Sequence, residues 1–169
     1  IGLGNIGQIH LSNVLKLPEF NLVAVCDPCI DRSLVSIHGL QDRIYSLENL
    51  FACDELEAVI ICSPSLLHAD QVKQALEGDI HVLCEKPLHP ELAENLEVAA
   101  VLRQSKGKLQ MGFNRRFDPD FASLASKLRK EEGKVIKLKI TSRDPSLPSF
   151  SYLETSGGLF RSEEHTSEL

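Results

Sequence analysis

A chain of 169 residues, 43% hydrophobic and 25% charged, is long enough for one domain with a sizeable core and has the balance of an ordinary globular protein. Its net charge of −6 argues against a general nucleic-acid binder, which needs a basic face. No apolar run approaches the roughly 20 residues of a membrane helix. Nor does a signal-peptide pattern open the chain, and five cysteines scattered among strand-like segments suit free thiols in a reducing cytoplasm.

The chain opens on Ile-Gly-Leu-Gly-Asn-Ile-Gly, with no Met and one residue ahead of the first glycine. A helical pattern is predicted over residues 8–17, stopped by Pro18. The apolar run 21–26 reads as a buried strand ending at Asp27. Residues 31–38 are expected to be helical, and 43–45 to form a short strand. Ser46 is placed to cap a helix running to Ala52. Ala58 to Cys62 is the clearest buried strand, followed by a helix over 63–77 with Ala69, Val72, Ala75 and Leu76 on its apolar face. A strand over 81–84 leads to Glu85-Lys86-Pro87, and Pro90 suits the first turn of a helix reaching 104. A strand over 109–113, a helix over 118–131 and an alternating strand over 135–141 complete the pattern.

Strands alternating with helices indicate an α/β protein with a Rossmann-type, doubly wound parallel sheet. Its first strand is expected to be truncated to Ile1, which leaves neighbouring strands short of partners and the chain by itself unstable. The alternation breaks near Gly133, and the domain boundary is read near residues 114–120. Residues 1–117 are therefore expected to form a dinucleotide-binding domain, and residues 118–161 to begin a second α/β domain.

Gly2-x-Gly4-x-x-Gly7 is a weak signal alone, but it stands where a strand passes into a helix. Asp27 closes the next strand about twenty residues further on, where an acidic residue meets the ribose hydroxyls of a dinucleotide. The first glycine permits the turn, the second admits a pyrophosphate, and the third packs the helix on the sheet, its N-terminus facing the anion. The carboxylate of Asp27 repels a 2′-phosphate, so NAD is expected over NADP.

Lys86 follows the C-terminal end of a strand, the edge where open parallel sheets bind ligands. It is either a donor to a substrate hydroxyl or a surface lysine before a proline. His68 either faces the cofactor or caps its helix in solvent. Cys26-Asp-Pro-Cys29 has the spacing of a redox or metal pair. Asp27 and Pro28 fill the ribose turn, however, and no second Cys/His pair has ligand spacing, so no metal is expected. Arg115 and Arg116 suit an anionic or polyhydroxylated ligand, or a salt bridge at the domain junction.

Together these segments resemble the family of glucose–fructose oxidoreductases, inositol dehydrogenases and rhizopine-catabolism proteins. The matching pieces are residues 2–7, Cys26-Asp27, Ile-Cys-Ser-Pro-Ser-x-x-His at 61–68, Val-Leu-Cys-Glu-Lys-Pro-Leu at 82–88, Gly-Phe-Asn-Arg-Arg-Phe-Asp-Pro at 112–119 and Ser-Gly-Gly-Leu-Phe-Arg at 156–161. Within the family, 141–145 and 156–161 are most similar to inositol 2-dehydrogenases. The resemblance implies an NAD-dependent oxidoreductase moving hydride between a sugar or cyclic polyol and the nicotinamide. It implies cofactor contacts from Gly2, Gly4, Asn5, Ile6, Gly7 and Asp27, from Cys62, Ser63, Pro64 and His68, and from Glu85 and Lys86. Lys86 is then the catalytic lysine, joined by Arg115 at the substrate, with a cis bond between Lys86 and Pro87. A cytoplasmic homo-oligomer is expected, with a small polyol or sugar as its partner and neither nucleic acid nor membrane.

The same resemblance places an Asp at 162 and a His at 166, where this chain has Ser162 and Thr166. Residues 161–169, Arg-Ser-Glu-Glu-His-Thr-Ser-Glu-Leu, look like the conceptual translation of a short-read sequencing adapter. On that expectation the chain is a fragment, inactive by itself, of a catalytic parent. The other reading is a non-catalytic Rossmann protein that binds a dinucleotide as a regulator or partner.

Overall fold

A computed structural model of the chain describes residues 1–31, 33, 36, 38–130 and 139. The chain divides into two compact units, Ile1–Met111 and Gly112–Leu169. Among the described residues no helix is long and apolar enough to cross a membrane.

The first unit begins with α1 (Asn5–Val14), which starts directly at the glycine turn, earlier than the apolar spacing indicates. It also ends earlier. Residues before a proline resist helical angles, and the chain unwinds towards Pro18 through tightened turns, Lys16 N–H to Asn13 C=O and Leu17 N–H to Val14 C=O. Ser33 and Ser36 are helical. A short helix, α2 (Leu47–Phe51), is capped by Ser46, whose hydroxyl accepts the Asn49 N–H at 3.1 Å.

The sheet comprises β1 (Ala58–Ile61), β2 (His81–Cys84) and β3 (Leu109–Met111), parallel and in that order. Val59 lies opposite Val82, and Cys84 opposite both Ile61 and Met111. The connections are α3 (His68–Glu77), entered through a 3₁₀ turn at Ser65–Leu67, and α4 (Leu92–Leu102). The latter starts two residues after Pro90, because Glu91 keeps an extended backbone. Val59, Ile61, Val82 and Cys84 from the strands meet Ala69, Val72, Ala75 and Leu76 of α3 and Val98 of α4 in one buried core. All four α3 residues are the ones the apolar spacing selects.

The strand expected over 21–26 is reduced to a single parallel bridge, Val25 to Ile44. On its other edge the Gly2 N–H donates to Cys26 C=O at 2.8 Å. Ile1 occupies the sheet between this segment and β1. Its ammonium donates to Ile60 C=O at 2.7 Å, and its carbonyl accepts the Cys62 N–H at 2.8 Å. Below Ile1 a cavity of about 640 Å³ separates Leu22–Val25 from Ala58–Ile60. Among the described residues no backbone pairs with 21–24, and strand geometry there does not persist without a partner.

In the second unit, a 3₁₀ turn at Asn114–Phe117 leads to α5 (Pro119–Lys130). Asp118 caps this helix, accepting the backbone N–H groups of Asp120 and Phe121 at 2.9 and 3.2 Å. The expected strand over 135–141, except for Lys139, and the segment 162–169 lie outside the described residues.

Candidate dinucleotide and substrate site

Parallel register brings the C-terminal ends of β1 and β2 to the same edge, where Glu85 N–H donates to Ile61 C=O at 2.9 Å. Cys62-Ser63-Pro64 and Glu85-Lys86-Pro87 therefore leave the sheet side by side. The glycine turn joins them through the hydrogen bond between Cys62 and Ile1.

Sterics define that turn. Gly2 has φ +81°, and a side chain there would strike the Cys62 carbonyl carbon and the Ser63 nitrogen, both 2.6 Å from the Cβ position. A side chain on Gly7 would overlap the Gly2 carbonyl oxygen, so helix and turn meet only without one. Gly4 is different: nothing lies within 4 Å of its Cβ position, and it is exposed together with Asn5 and Ile6. The first turn of α1 thus presents its backbone N–H groups to open space, with no acidic side chain in the way. A pyrophosphate fits that cradle, and the added Cβ of any other residue at position 4 would project into the same space.

Asp27 grips this turn. Its Oδ2 accepts the Leu3 N–H at 2.6 Å and its Oδ1 accepts the Cys29 N–H at 2.7 Å. The carboxylate is half-buried and fixed by two backbone donors, with lone pairs left for ribose hydroxyls.

His68 is neither a solvated cap nor a ring with a spare nitrogen. It is 1% exposed. Nδ1 lies 2.8 Å from Pro87 C=O and Nε2 lies 2.7 Å from Ser63 C=O. His68 therefore staples the two loops that flank the site. Ser63 is held further by donating its hydroxyl to Gln71 Oε1 at 2.6 Å. Pro64 is exposed at the entrance, and Cys62 is half-buried against the glycine turn. Burial pushes the Cys62 thiol up to about 11, and raises Cys26 and Cys84 as well. These protonated thiols suit packing, not nucleophilic or metal chemistry.

Lys86 is half-buried at the strand end, and the Lys86-Pro87 bond is cis. Glu85 turns its carboxylate away to His10, with Nε2 and Oε1 2.8 Å apart. His10 escaped the sequence reading. The available signal was its position three residues after Gly7 and one before buried Leu11, on the inward face of α1. Arg115 belongs to the second unit, where its guanidinium stacks 5.3 Å from the Phe121 ring centroid.

A glycine turn leading into a helix N-terminus, an acidic residue on the neighbouring segment, and loops gathered at the C-terminal edge of a parallel sheet define an NAD-binding Rossmann domain. Residues 1–113 match the model of an oxidoreductase family with an NAD-binding Rossmann fold. The chain belongs to this family, that of the glucose–fructose oxidoreductases and inositol dehydrogenases.

Among its relatives, an uncharacterised oxidoreductase of Bacillus subtilis (strain 168), YrbE, is 39% identical over 95% of this chain and 48% of its own length. The inositol 2-dehydrogenase of Rhizobium meliloti (strain 1021) is 34% identical over 95% of this chain and 49% of its own. Among solved structures, a myo-inositol dehydrogenase from Corynebacterium glutamicum superposes with a TM-score of 0.82, at 33% identity over 95% of this chain and 49% of its own. A scyllo-inositol dehydrogenase from Lactobacillus casei, solved with NAD(H) and scyllo-inositol bound, gives 0.70 at 28% identity over 76% and 39%. The chain spans about half the length of the curated relatives it matches.

Proposed function

We propose that this chain is the cofactor-binding part of an NAD-dependent dehydrogenase that oxidises a secondary hydroxyl of a cyclic polyol or sugar, an inositol being the first candidate. The observation that carries this reading is the convergence of the Gly2–Gly7 turn, Asp27 and Lys86 at one edge of the sheet. The inositol dehydrogenases among the relatives supply the substrate class. Residues 1–117 serve the dinucleotide in this reading, and residues 118–161 open the domain that completes the substrate site, with Arg115 near their junction.

Bound NAD supplies a hydride acceptor. The chain's own residues do the rest of what this half provides. Helix α1 and its preceding turn hold the pyrophosphate, and Asp27 selects the unphosphorylated ribose. The ammonium of Lys86 donates to the substrate hydroxyl, orienting it and easing the departure of its proton to a base. Cys62, Ser63, Pro64 and Glu85 shape the cofactor channel, and His68 holds its walls together. The reading carries with it a cytoplasmic location, supported by five free thiols, and a homo-oligomeric full-length protein, which light scattering tests.

The experiment is to recover the complete coding sequence and assay its product with NAD against a panel of polyols and sugars. Oxidation of an inositol or related polyol is expected. Lys86→Ala is expected to cut kcat about 100-fold or more while NAD affinity changes less than about threefold. A protein that binds NAD but oxidises nothing in the panel overturns the reading in favour of a non-catalytic dinucleotide-binding protein.

A further inference from the structure

Lys86 stands next to a carboxylate and does not pair with it. Among the described residues its ammonium makes no ion pair, although Glu85 precedes it in the chain. Glu85 is engaged from another direction: Oε1 meets His10 Nε2 at 2.8 Å, while Oε2 accepts the Lys86 backbone N–H at 3.3 Å. Both side chains of the His10–Glu85 pair are sheltered, 25% and 20% exposed. His10 reaches this point because α1 turns Gly7 and Leu11 into the sheet, and residue 10 shares that face.

We propose that His10 is a positioning residue that occupies the Glu85 carboxylate and so keeps it off the Lys86 ammonium, leaving the lysine free for a substrate hydroxyl. The role given to the freed lysine rests on the dehydrogenase reading above; the competition between His10 and Lys86 for Glu85 does not. A half-buried carboxylate seeks a cationic or N–H partner, because an unpaired one is costly. Two candidates surround Glu85. Burial works against its charge, yet the His10 hydrogen bond and charge, followed by the backbone N–H and ammonium of Lys86, hold its carboxyl below the ordinary value. Without His10, Lys86 is the remaining cation acting on the Glu85 carboxylate. Since His10 rides on the helix that opens at the glycine turn, the arrangement also ties the placement of the lysine to the element that receives the dinucleotide.

The test compares His10→Ala, His10→Gln and the double variant His10→Ala/Glu85→Gln in the full-length protein. Lys86 acylation by an amine-reactive ester is read by mass spectrometry, with the 90% exposed Lys106 as internal reference, alongside kcat and KM. His10→Ala should slow Lys86 acylation about threefold relative to Lys106 and lower kcat about tenfold, with the KM for NAD within about twofold. His10→Gln restores an N–H donor and should bring both back to within about twofold of the wild type. The double variant, having no carboxylate to capture the lysine, should regain the wild-type acylation rate. Unchanged acylation in His10→Ala, or a double variant as slow as His10→Ala, overturns the proposal. Slowed acylation and its recovery in a protein that oxidises no polyol would uphold the competition and remove the dehydrogenase reading instead.

Discussion

The carboxylate of Asp27 holds the backbone of Leu3, accepting its N–H at 2.6 Å from across the sheet edge. One residue thus fixes the glycine turn and, on the proposed function, also meets the ribose. Discrimination between cofactors and stiffness of the turn are therefore coupled in the same side chain. Full-length protein should bind NAD about 100-fold more tightly than NADP, since a phosphate dianion beside this carboxylate is strongly disfavoured. Asp27→Ala should erase most of that preference and weaken NAD itself about tenfold, because the Leu3 and Cys29 N–H groups lose their acceptor. Calorimetric titration with both cofactors measures this; equal or tighter binding of NADP by the wild type contradicts it.

His68 offers a stability test. A His68→Leu replacement keeps bulk but removes both ring nitrogens from the Ser63 and Pro87 carbonyls, and with them the N–H that ties the two loops, in a site that is nearly inaccessible to water. A loss of about 2–4 kcal/mol is expected. His68→Gln, which keeps an N–H donor, should lose less. Urea unfolding midpoints decide: a loss below about 0.5 kcal/mol for His68→Leu shows that the staple is energetically idle.

Glu85 predicts a pH dependence. Its carboxyl is held below the ordinary value of 4.5. The folded state therefore binds its proton less readily than the unfolded chain. The stabilisation is complete above 4.5 and is lost as pH falls through the lower folded value. Comparing wild type with Glu85→Gln, the stability advantage of the wild type should hold above pH 4.5 and shrink in the acid window below it. A difference that stays constant over that window removes the His10–Glu85 pair as a source of it.

Much of this was legible in the chain. The glycine spacing, Asp27, and the buried face of Ala69, Val72, Ala75 and Leu76 follow from local rules of turn sterics and helical period, and each of these appears where those rules put it. Three features were not legible. His10 is separated from Glu85 by 75 positions, and nothing local marks a lone histidine on an apolar helix face as a partner for a distant carboxylate. His68 carries a helix-start signature, but its actual partners are carbonyls that only the folded loops bring together. The strand expected at 21–26 shrank to a bridge at Val25, because strand formation depends on a partner and not on composition. The helix ends drifted for a related reason: at 5 and 14 the chain obeys the glycine turn and the approach to Pro18, which outweigh apolar spacing.

The central claim is that this site receives NAD and hands it a hydride from a polyol carbon beside Lys86. Its most direct test is isotopic. Full-length protein is incubated with NAD and myo-inositol or scyllo-inositol deuterated at the carbinol carbons, and the product nucleotide is examined by NMR. The account predicts deuterium at C4 of the reduced nicotinamide, with the rate of its appearance reduced about 100-fold or more in Lys86→Ala. NAD bound tightly but returned without deuterium, from these and every other polyol offered, would contradict it.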